Sequence, residues 1–220
     1  MKRELARAAI GVGVFLVLLA GVVLVGLRSR APAGQQSGNG ASAAAAEERS
    51  GFGEAGPFLG EQVIPPRLAP AFDLTDRSET RVQLQDFQGK WVLLSFAYTS
   101  CPDVCPIMFS HFLTVQEKLA DHLENDLVLA FITVDPEADT PERLDKHVRS
   151  VGGKWHFLTG PLATMQEVWK GFRVRVEKEG VFVAHTSITY LIDRNGLIRV
   201  RFLGVPPAKV LIEDIEKVLE

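Results

Sequence analysis

The sequence predicts an α/β domain, and two apolar runs with a helical stripe between them are the main reason. Residues 91–98 and 127–134 are almost continuously apolar, which is typical of strands that are buried on both faces of a parallel sheet. Between them, four apolar side chains recur at spacings of four, three and four residues: Met108, Phe112, Val115 and Leu119. This spacing predicts an amphipathic helix, so the three segments together predict a right-handed βαβ unit.

The segments after residue 134 continue the alternation of strands and helices. Thr140 and Pro141 have the residue types of an N-cap and a first-turn proline, and they predict that a helix begins there. Residues 162–171 predict a further helix. Two alternating segments, 172–176 and 181–184, are joined by Glu-Lys-Glu-Gly and predict a β-hairpin.

The end of the chain predicts a second hairpin and a last helix. Residues 188–192 and 197–202 have the composition of strands, and Asp-Arg-Asn-Gly at 193–196 favours a tight turn between them. An amphipathic segment follows over 207–219. The order is β-α-β-α and then β-β-α, with a cysteine pair at the first strand–helix junction. This order predicts a thioredoxin-like fold.

The first part of the chain predicts a single transmembrane helix and a tether. Residues 8–27 carry no charge and have basic residues on both sides. A helix of this length spans about 30 Å, the thickness of a bilayer core, and the run exceeds the apolar region of a cleaved signal peptide. We therefore expect a cytoplasmic basic end at 1–7, an uncleaved anchor at 8–27 and a flexible tether at 28–64. Residues 65–220 then suffice for one domain with its own core.

The overall composition excludes some partners and leaves the cysteines free for chemistry. The formal net charge of −3 at pH 7 is too small to indicate a nucleic acid partner. The chain has only two cysteines, so disulfides cannot be its main source of stability. Cys101 and Cys105 are therefore candidates for a reactive or metal-binding role.

Both cysteines lie in the loop Tyr-Thr-Ser-Cys-Pro-Asp-Val-Cys-Pro at 98–106, directly after the first predicted strand. Reactive groups of an α/β sheet collect beyond the carboxyl ends of its parallel strands, and a helix N-terminus there is expected to favour the thiolate. Positions four apart on a helical turn have Cα atoms about 6 Å apart, which suits either a disulfide or a shared soft metal ion. Redox enzymes of the thioredoxin type have Cys-x-x-Cys, and the extra residue here favours a metal.

A metal site needs further ligands, and histidine is the first candidate. Among the five histidines, His111, His122 and His147 are expected to be solvated, and His156 is expected to be mainly structural. His185 differs, because it lies between two predicted strands where thioredoxins carry a cis-proline, and no proline occurs between Pro161 and Pro206. Two thiolates and one imidazole suit copper, Cu(I) in particular, whereas structural zinc would need a fourth ligand. Met108 and Met165 are further thioether candidates, but Met108 is better explained as core.

The segment Asp-Pro-Glu-Ala-Asp-Thr-Pro at 135–141 follows the second parallel strand, so we expect it at the same edge of the sheet. Turn formation and helix capping explain most of its composition. Asp135 and Asp139 are in addition candidates for supporting the metal loop or for contacting a partner.

Taken together, these residues resemble the Sco (SenC) family of copper-handling proteins over roughly 68–205. The most specific part is the cysteine loop at 101–106 combined with the acidic segment at 135–141. Shorter matches are Ala-Phe-Asp-Leu-Thr at 71–75, Phe-Gln-Gly-Lys at 87–90, Leu-Thr-Gly at 158–160 and Tyr-Leu-Ile-Asp at 190–193. The resemblance implies that the family's ligands for Cu(I) or Cu(II) fall on Cys101, Cys105 and His185.

The resemblance also implies a function. It indicates a membrane-anchored copper metallochaperone that matures the binuclear copper site of cytochrome c oxidase, with oxidase subunit II as the acceptor. A periplasmic copper donor or thiol reductant is a further expected partner. The expected location is the bacterial inner membrane, with one span and the C-terminal domain facing the periplasm. Oxidation of Cys101 and Cys105 to a disulfide would release the metal.

Two other functions stay open at this point. The same pair could be a redox-active disulfide pair whose reduced, dithiol form reduces the cysteines of the oxidase copper site or acts in redox signalling. Peroxiredoxins have this fold too, but they have a single peroxidatic cysteine. In those enzymes the threonine lies farther from that cysteine, whereas one residue separates Thr99 from Cys101 here. Peroxide turnover by the reduced protein would favour this third class.

Overall fold

A computed structural model describes residues 57–180 and 182–220, in which eight of the strands form one mixed sheet. The strands are β1 (Glu61–Leu68), β2 (Asp73–Asp76), β3 (Arg81–Gln83), β4 (Trp91–Ala97), β5 (Leu127–Thr133), β6 (His156–Thr159), β7 (Val176–Glu179), β8 (Phe182–His185), β9 (Ile188–Ile192) and β10 (Leu197–Leu203). The helices are α1 (Cys105–Lys118), α2 (Pro141–Val151), α3 (Leu162–Gly171) and α4 (Ala208–Leu219). Short 3-10 turns occupy Leu84–Phe87 and Ala120–His122.

The two strands predicted from apolar runs form the centre of the sheet. The strand order is β1-β10-β9-β4-β5-β6-β2-β3, with β4, β5 and β6 parallel and the other neighbours antiparallel. Every residue of β4 and β5 is buried, as expected for strands that are covered on both faces. The prediction of a mixed α/β fold with a central βαβ unit is therefore confirmed.

Aromatic side chains show that the sheet is covered on both faces. Phe131 of β5 packs against Phe112 of α1, with ring centroids 4.3 Å apart. Phe96 of β4 is in register with Ile132, the next residue of β5, so its side chain points to the opposite face. There it packs against Phe172 after α3, with ring centroids 5.6 Å apart. Helix α1 and the end of α3 thus enclose the central strands from two sides.

The predicted helix signals are also confirmed. The Thr140 hydroxyl accepts a hydrogen bond from the Arg143 backbone N–H at 3.3 Å, and Pro141 is the first residue of α2. Gly152 ends that helix in the left-handed conformation, with φ of 73°. In α1, Pro106 lies in the first turn, where its missing N–H breaks no helical hydrogen bond.

The predicted strand at 172–176 is wrong, although the hairpin that it was part of exists. The Val174 N–H donates to the Trp169 carbonyl at 2.8 Å and the Arg173 N–H donates to the Lys170 carbonyl at 3.1 Å, which is the Schellman pattern of a helix end. Arg173 takes the left-handed position, with φ of 57°. The apolar alternation of 172–176 therefore comes from a helix C-terminus, and the first hairpin strand is β7.

Four strands have no counterpart among the predictions: β1, β2, β3 and β6. Strand β1 begins at Glu61, inside the segment 28–64 that was predicted as tether. The predicted segments 1–7 and 8–27, and most of the tether, lie outside the described residues. Within the described part of the chain, no helix has the length and apolarity needed to cross a membrane.

We expect Phe112→Ala to lower the free energy of unfolding by about 3–5 kcal/mol, because it empties a fully buried position between α1 and the sheet. Chemical denaturation of the full chain measures this loss. The matched control is Ile107→Ala on the same helix, where the side chain is 51 % exposed and the expected loss is below about 1 kcal/mol. Equal losses for the two variants would contradict the described packing.

Candidate metal centre

The candidate site lies at the edge of the sheet where β4 and β5 have their carboxyl ends. Strand β9 is antiparallel to β4, with Ser95 opposite Thr189, so the beginning of β9 lies at this same edge. The segment after β4 carries Cys101 in a loop and Cys105 at the start of α1, and His185 is the last residue of β8, just before β9. The sheet topology therefore brings together segments that are more than eighty residues apart in the sequence.

The two cysteines have different environments. Cys101 is partly exposed, whereas Cys105 is the first residue of α1 and is only 3 % exposed. Both are free thiols, and their side chains are in hydrogen-bonding contact. The loop therefore pairs an accessible sulfur with a buried one.

The ionisation of Cys105 differs from the expectation for a helix N-terminus. Burial raises the pKa of the Cys105 thiol, and its contact with Cys101 raises that pKa further. The negative charge of Asp139 nearby acts in the same direction. Desolvation is the largest of these effects, and it favours the protonated thiol of Cys105 at neutral pH.

Asp139 is the buried anchor of the cysteine loop. Its carboxylate is fully buried and accepts hydrogen bonds from the Thr99 hydroxyl at 2.5 Å, the Thr99 backbone N–H at 3.1 Å and the Thr133 hydroxyl at 2.6 Å. Burial raises the pKa of Asp139, although the hydrogen bonds from Thr133 and Thr99 oppose that rise. Because Thr99 is two residues before Cys101, this carboxylate fixes the start of the loop.

His185 has a defined tautomer that leaves one ring nitrogen free. Its Nδ1 lies 3.1 Å from the Thr186 carbonyl oxygen, and since a carbonyl can only accept, Nδ1 must carry the proton. Burial lowers the pKa of His185, so the imidazole is neutral at neutral pH. Nε2 therefore presents a lone pair, which is the form that binds a metal ion.

Cys101 and His185 line one cleft of about 380 Å³. Tyr98 also lines this cleft, and its ring lies edge-on to the imidazole with centroids 6.3 Å apart. Among the described residues, no three His, Cys, Asp or Glu side chains are close enough together to hold a metal ion. The three predicted ligands thus share one edge of the sheet, while the described conformation does not bring them into a closed coordination set.

Asp135 connects this edge to the β7–β8 hairpin. Its carboxylate is 4 % exposed and accepts a hydrogen bond from the Lys178 ammonium group at 2.7 Å. Lys178 also donates to Glu137 at 2.7 Å. Neither Lys178 nor Tyr98 was among the predicted site residues; their positions depend on contacts with residues 43 and 85 positions away.

The other histidines have structural contacts away from the cleft. His111 Nδ1 lies 2.8 Å from the Pro206 carbonyl oxygen, and His122 and His156 face Asp126 and Asp76. The expectation that His147 is solvated is wrong, because its ring packs on Phe109 at 4.8 Å and its Nε2 is buried without a hydrogen-bond partner. Met108 and Met165 are core residues, with exposures of 4 % and 0 %.

The comparison with known protein families agrees with this geometry. A family model described as SCO1/SenC matches residues 61–220, which is the whole fold from β1 to the C-terminus. The chain belongs to the SCO1/SenC family. The resemblance predicted from the cysteine loop and the acidic segment is thereby confirmed.

Proteins similar to this SCO1/SenC member include a curated relative and two solved structures. A SCO2-like protein of Rickettsia typhi is 31 % identical over 154 residues, covering 67 % of this chain and 75 % of the relative. The structure of Bradyrhizobium japonicum ScoI with copper bound is 31 % identical with a TM-score of 0.59, covering 69 % of this chain and 99 % of the other. BsSco, described as a member of the Sco family of cytochrome c oxidase assembly proteins with a disulfide switch, is 29 % identical with a TM-score of 0.60, covering 70 % and 94 %.

We expect iodoacetamide at pH 7 to modify Cys101 of the reduced protein at least about tenfold faster than Cys105, because reaction requires an accessible thiolate. Peptide mapping by mass spectrometry measures the two rates separately. In guanidinium the difference should disappear, which shows that it originates in the fold. Equal rates in the folded protein would contradict the assignment of Cys105 as the buried thiol.

Proposed function

We propose that this SCO1/SenC member is a copper metallochaperone that binds its cargo through Cys101, Cys105 and His185. The observation that carries the proposal is that two free thiols and a neutral imidazole with an unprotonated Nε2 lie at the same edge of the sheet. Two sulfurs and one imidazole nitrogen form a soft donor set that suits Cu(I) and also accepts Cu(II). The copper-bound relative ScoI supports the choice of metal.

Loading the site requires both thiols to lose their protons. Cys105 is protonated at neutral pH, so the metal must displace its proton, and the apparent affinity for copper should increase with pH. Removal of two electrons and two protons from the thiols instead forms a Cys101–Cys105 disulfide, which leaves no thiolate for the metal. Copper occupancy and the redox state of the pair are therefore linked.

Maturation of the copper site of cytochrome c oxidase is the process in which we place this activity. The family membership and the description of BsSco as belonging to a family of oxidase assembly proteins support that role. We propose oxidase subunit II as the copper acceptor and a periplasmic copper donor or thiol reductant as a further partner. The uncharged run at 8–27 between basic residues supports an inner-membrane anchor with the domain facing the periplasm.

Thiol–disulfide reduction of the oxidase copper site is the second candidate, and the unequal exposure of the cysteines favours it. The Cys101 thiolate would attack a partner disulfide, forming a mixed disulfide and releasing one partner thiolate. Cys105 would then attack Cys101, leaving the pair oxidised and the partner as a dithiol. This reaction needs only the two cysteines, whereas copper delivery also needs His185.

We expect His185→Ala to weaken Cu(II) binding by at least about 100-fold, since even the outer partners of metal ligands contribute about 10- to 100-fold. Titration of the reduced full chain, followed by the thiolate-to-Cu(II) charge-transfer band, measures the affinity. His111→Ala is the matched control, because His111 contacts Pro206 away from the cleft. Unchanged affinity in His185→Ala would rule out the three-ligand model.

We expect deletion of the gene in its host to lower the copper content and activity of cytochrome c oxidase, and excess copper in the medium to restore both in part. Wild-type protein should complement the deletion, whereas His185→Ala should not. Full complementation by His185→Ala, together with none by Cys101→Ala, would make reduction rather than copper delivery the essential activity.

A further inference from the structure

Among the residues that the structure describes, the hairpin that carries His185 has no strand pairing with the main sheet. Strands β7 and β8 pair only with each other, and a two-stranded hairpin is of marginal stability by itself. Its position over the cleft therefore depends on the side chains that attach it to the rest of the domain. These attachments decide where the imidazole of His185 lies relative to the two thiols.

The inward face of the hairpin is defined by its register. Val176 pairs with His185 and Lys178 pairs with Val183, so these four side chains share one face of the two-stranded sheet. Val183 is 5 % exposed, and its N–H points to the Tyr98 hydroxyl at 3.4 Å. Lys178 is therefore on the same face as His185, one inward position farther along β7.

The ammonium group of Lys178 joins this face to the segment after β5. It donates to Asp135 and Glu137, each at 2.7 Å. Exposed ion pairs contribute little to stability, and Glu137, which is 59 % exposed, is of that kind. Asp135 differs because it is 4 % exposed, and removing the partner of a buried carboxylate leaves an uncompensated charge.

No other cation replaces Lys178 at this point. Among the residues that the structure describes, Lys178 is the only basic side chain within 4 Å of the Asp135 carboxylate. Arg143 lies near the site, but it donates to the Thr99 hydroxyl at 2.8 Å and is 3.8 Å from Asp139. The negative charge of Asp135 also repels that of Asp139. The positive charge of Lys178 beside Asp135 offsets this repulsion.

We propose that Lys178 is a positioning residue of the metal centre, because its ion pair with Asp135 holds the hairpin where His185 can reach the two thiols. The proposal rests on copper binding as proposed above. It assigns Asp135 a role through Lys178, with no contact to the metal. Loss of the ion pair should leave the two cysteines and the core unchanged. It should make the position of His185 on the hairpin more variable.

The first test uses the metal-free full chain and is independent of copper. Hydrogen exchange of the backbone amides in the β7–β8 hairpin should be about ten times faster in Lys178→Met, which keeps the length of the side chain but removes the charge. Exchange in β4 and β5 should not change. Lys178→Arg should restore most of the protection, and Lys170→Met, at a lysine that is 80 % exposed on α3, should have no effect.

The second test loads the same variants with Cu(II). We expect about tenfold weaker binding and a shifted charge-transfer band in Lys178→Met, with both restored in Lys178→Arg. In an Asp135→Asn background, Lys178→Met should add little, because the two changes remove the same interaction. Wild-type exchange and an unchanged copper spectrum in Lys178→Met would overturn the positioning role. Failure of the wild-type protein to bind copper would instead refute the proposed function itself.

Discussion

The parallel pairing of β4 with β5, with β9 antiparallel on the other side of β4, is the constraint on which the site depends. It requires the cysteine loop, the acidic segment and the connection before β9 to meet at one edge of the sheet. The strands themselves are fully buried, so this edge cannot shift without disrupting the core. The chemistry therefore lies on a rigid base, although its residues come from three distant parts of the chain.

Burial has the largest effect on the ionisation of Cys105 at this edge. Cys105 begins a helix, yet desolvation and the nearby Cys101 and Asp139 favour its protonated form. Asp139 is itself buried and depends on Thr99 and Thr133 for hydrogen bonds. Burial and the nearby negative charge of Asp139 thus disfavour the thiolate form of Cys105. A bound cation would reverse that balance, so deprotonation of Cys105 should accompany metal binding.

The parts of the fold that were predictable are those whose signal is local. Strands β4 and β5, helix α1 and the position of the cysteine loop follow from long apolar runs and helical spacing within one stretch of sequence. Strand β6 has four residues and exists because it pairs with β5, and the strand predicted at 172–176 is the end of α3, where Arg173 takes a conformation usual for glycine. The contacts of Lys178 with Asp135 and of Val183 with Tyr98 join residues that no local pattern connects. His147 was misjudged for the same reason, since only the folded chain brings Phe109 against it.

The two halves of the candidate site differ in how firmly they are held. The thiols lie on the loop that Asp139 fixes and on the first turn of α1, whereas His185 lies on a hairpin that joins the domain through a few side chains. A carrier has to bind its cargo and also give it up to a partner. Two firmly placed sulfurs can retain the metal, while a third ligand on a separate hairpin can leave without unfolding any part of the sheet. The weak attachment of the hairpin is therefore consistent with the copper transfer that we propose, because withdrawal of His185 would open a coordination position in the cleft that Cys101 also lines.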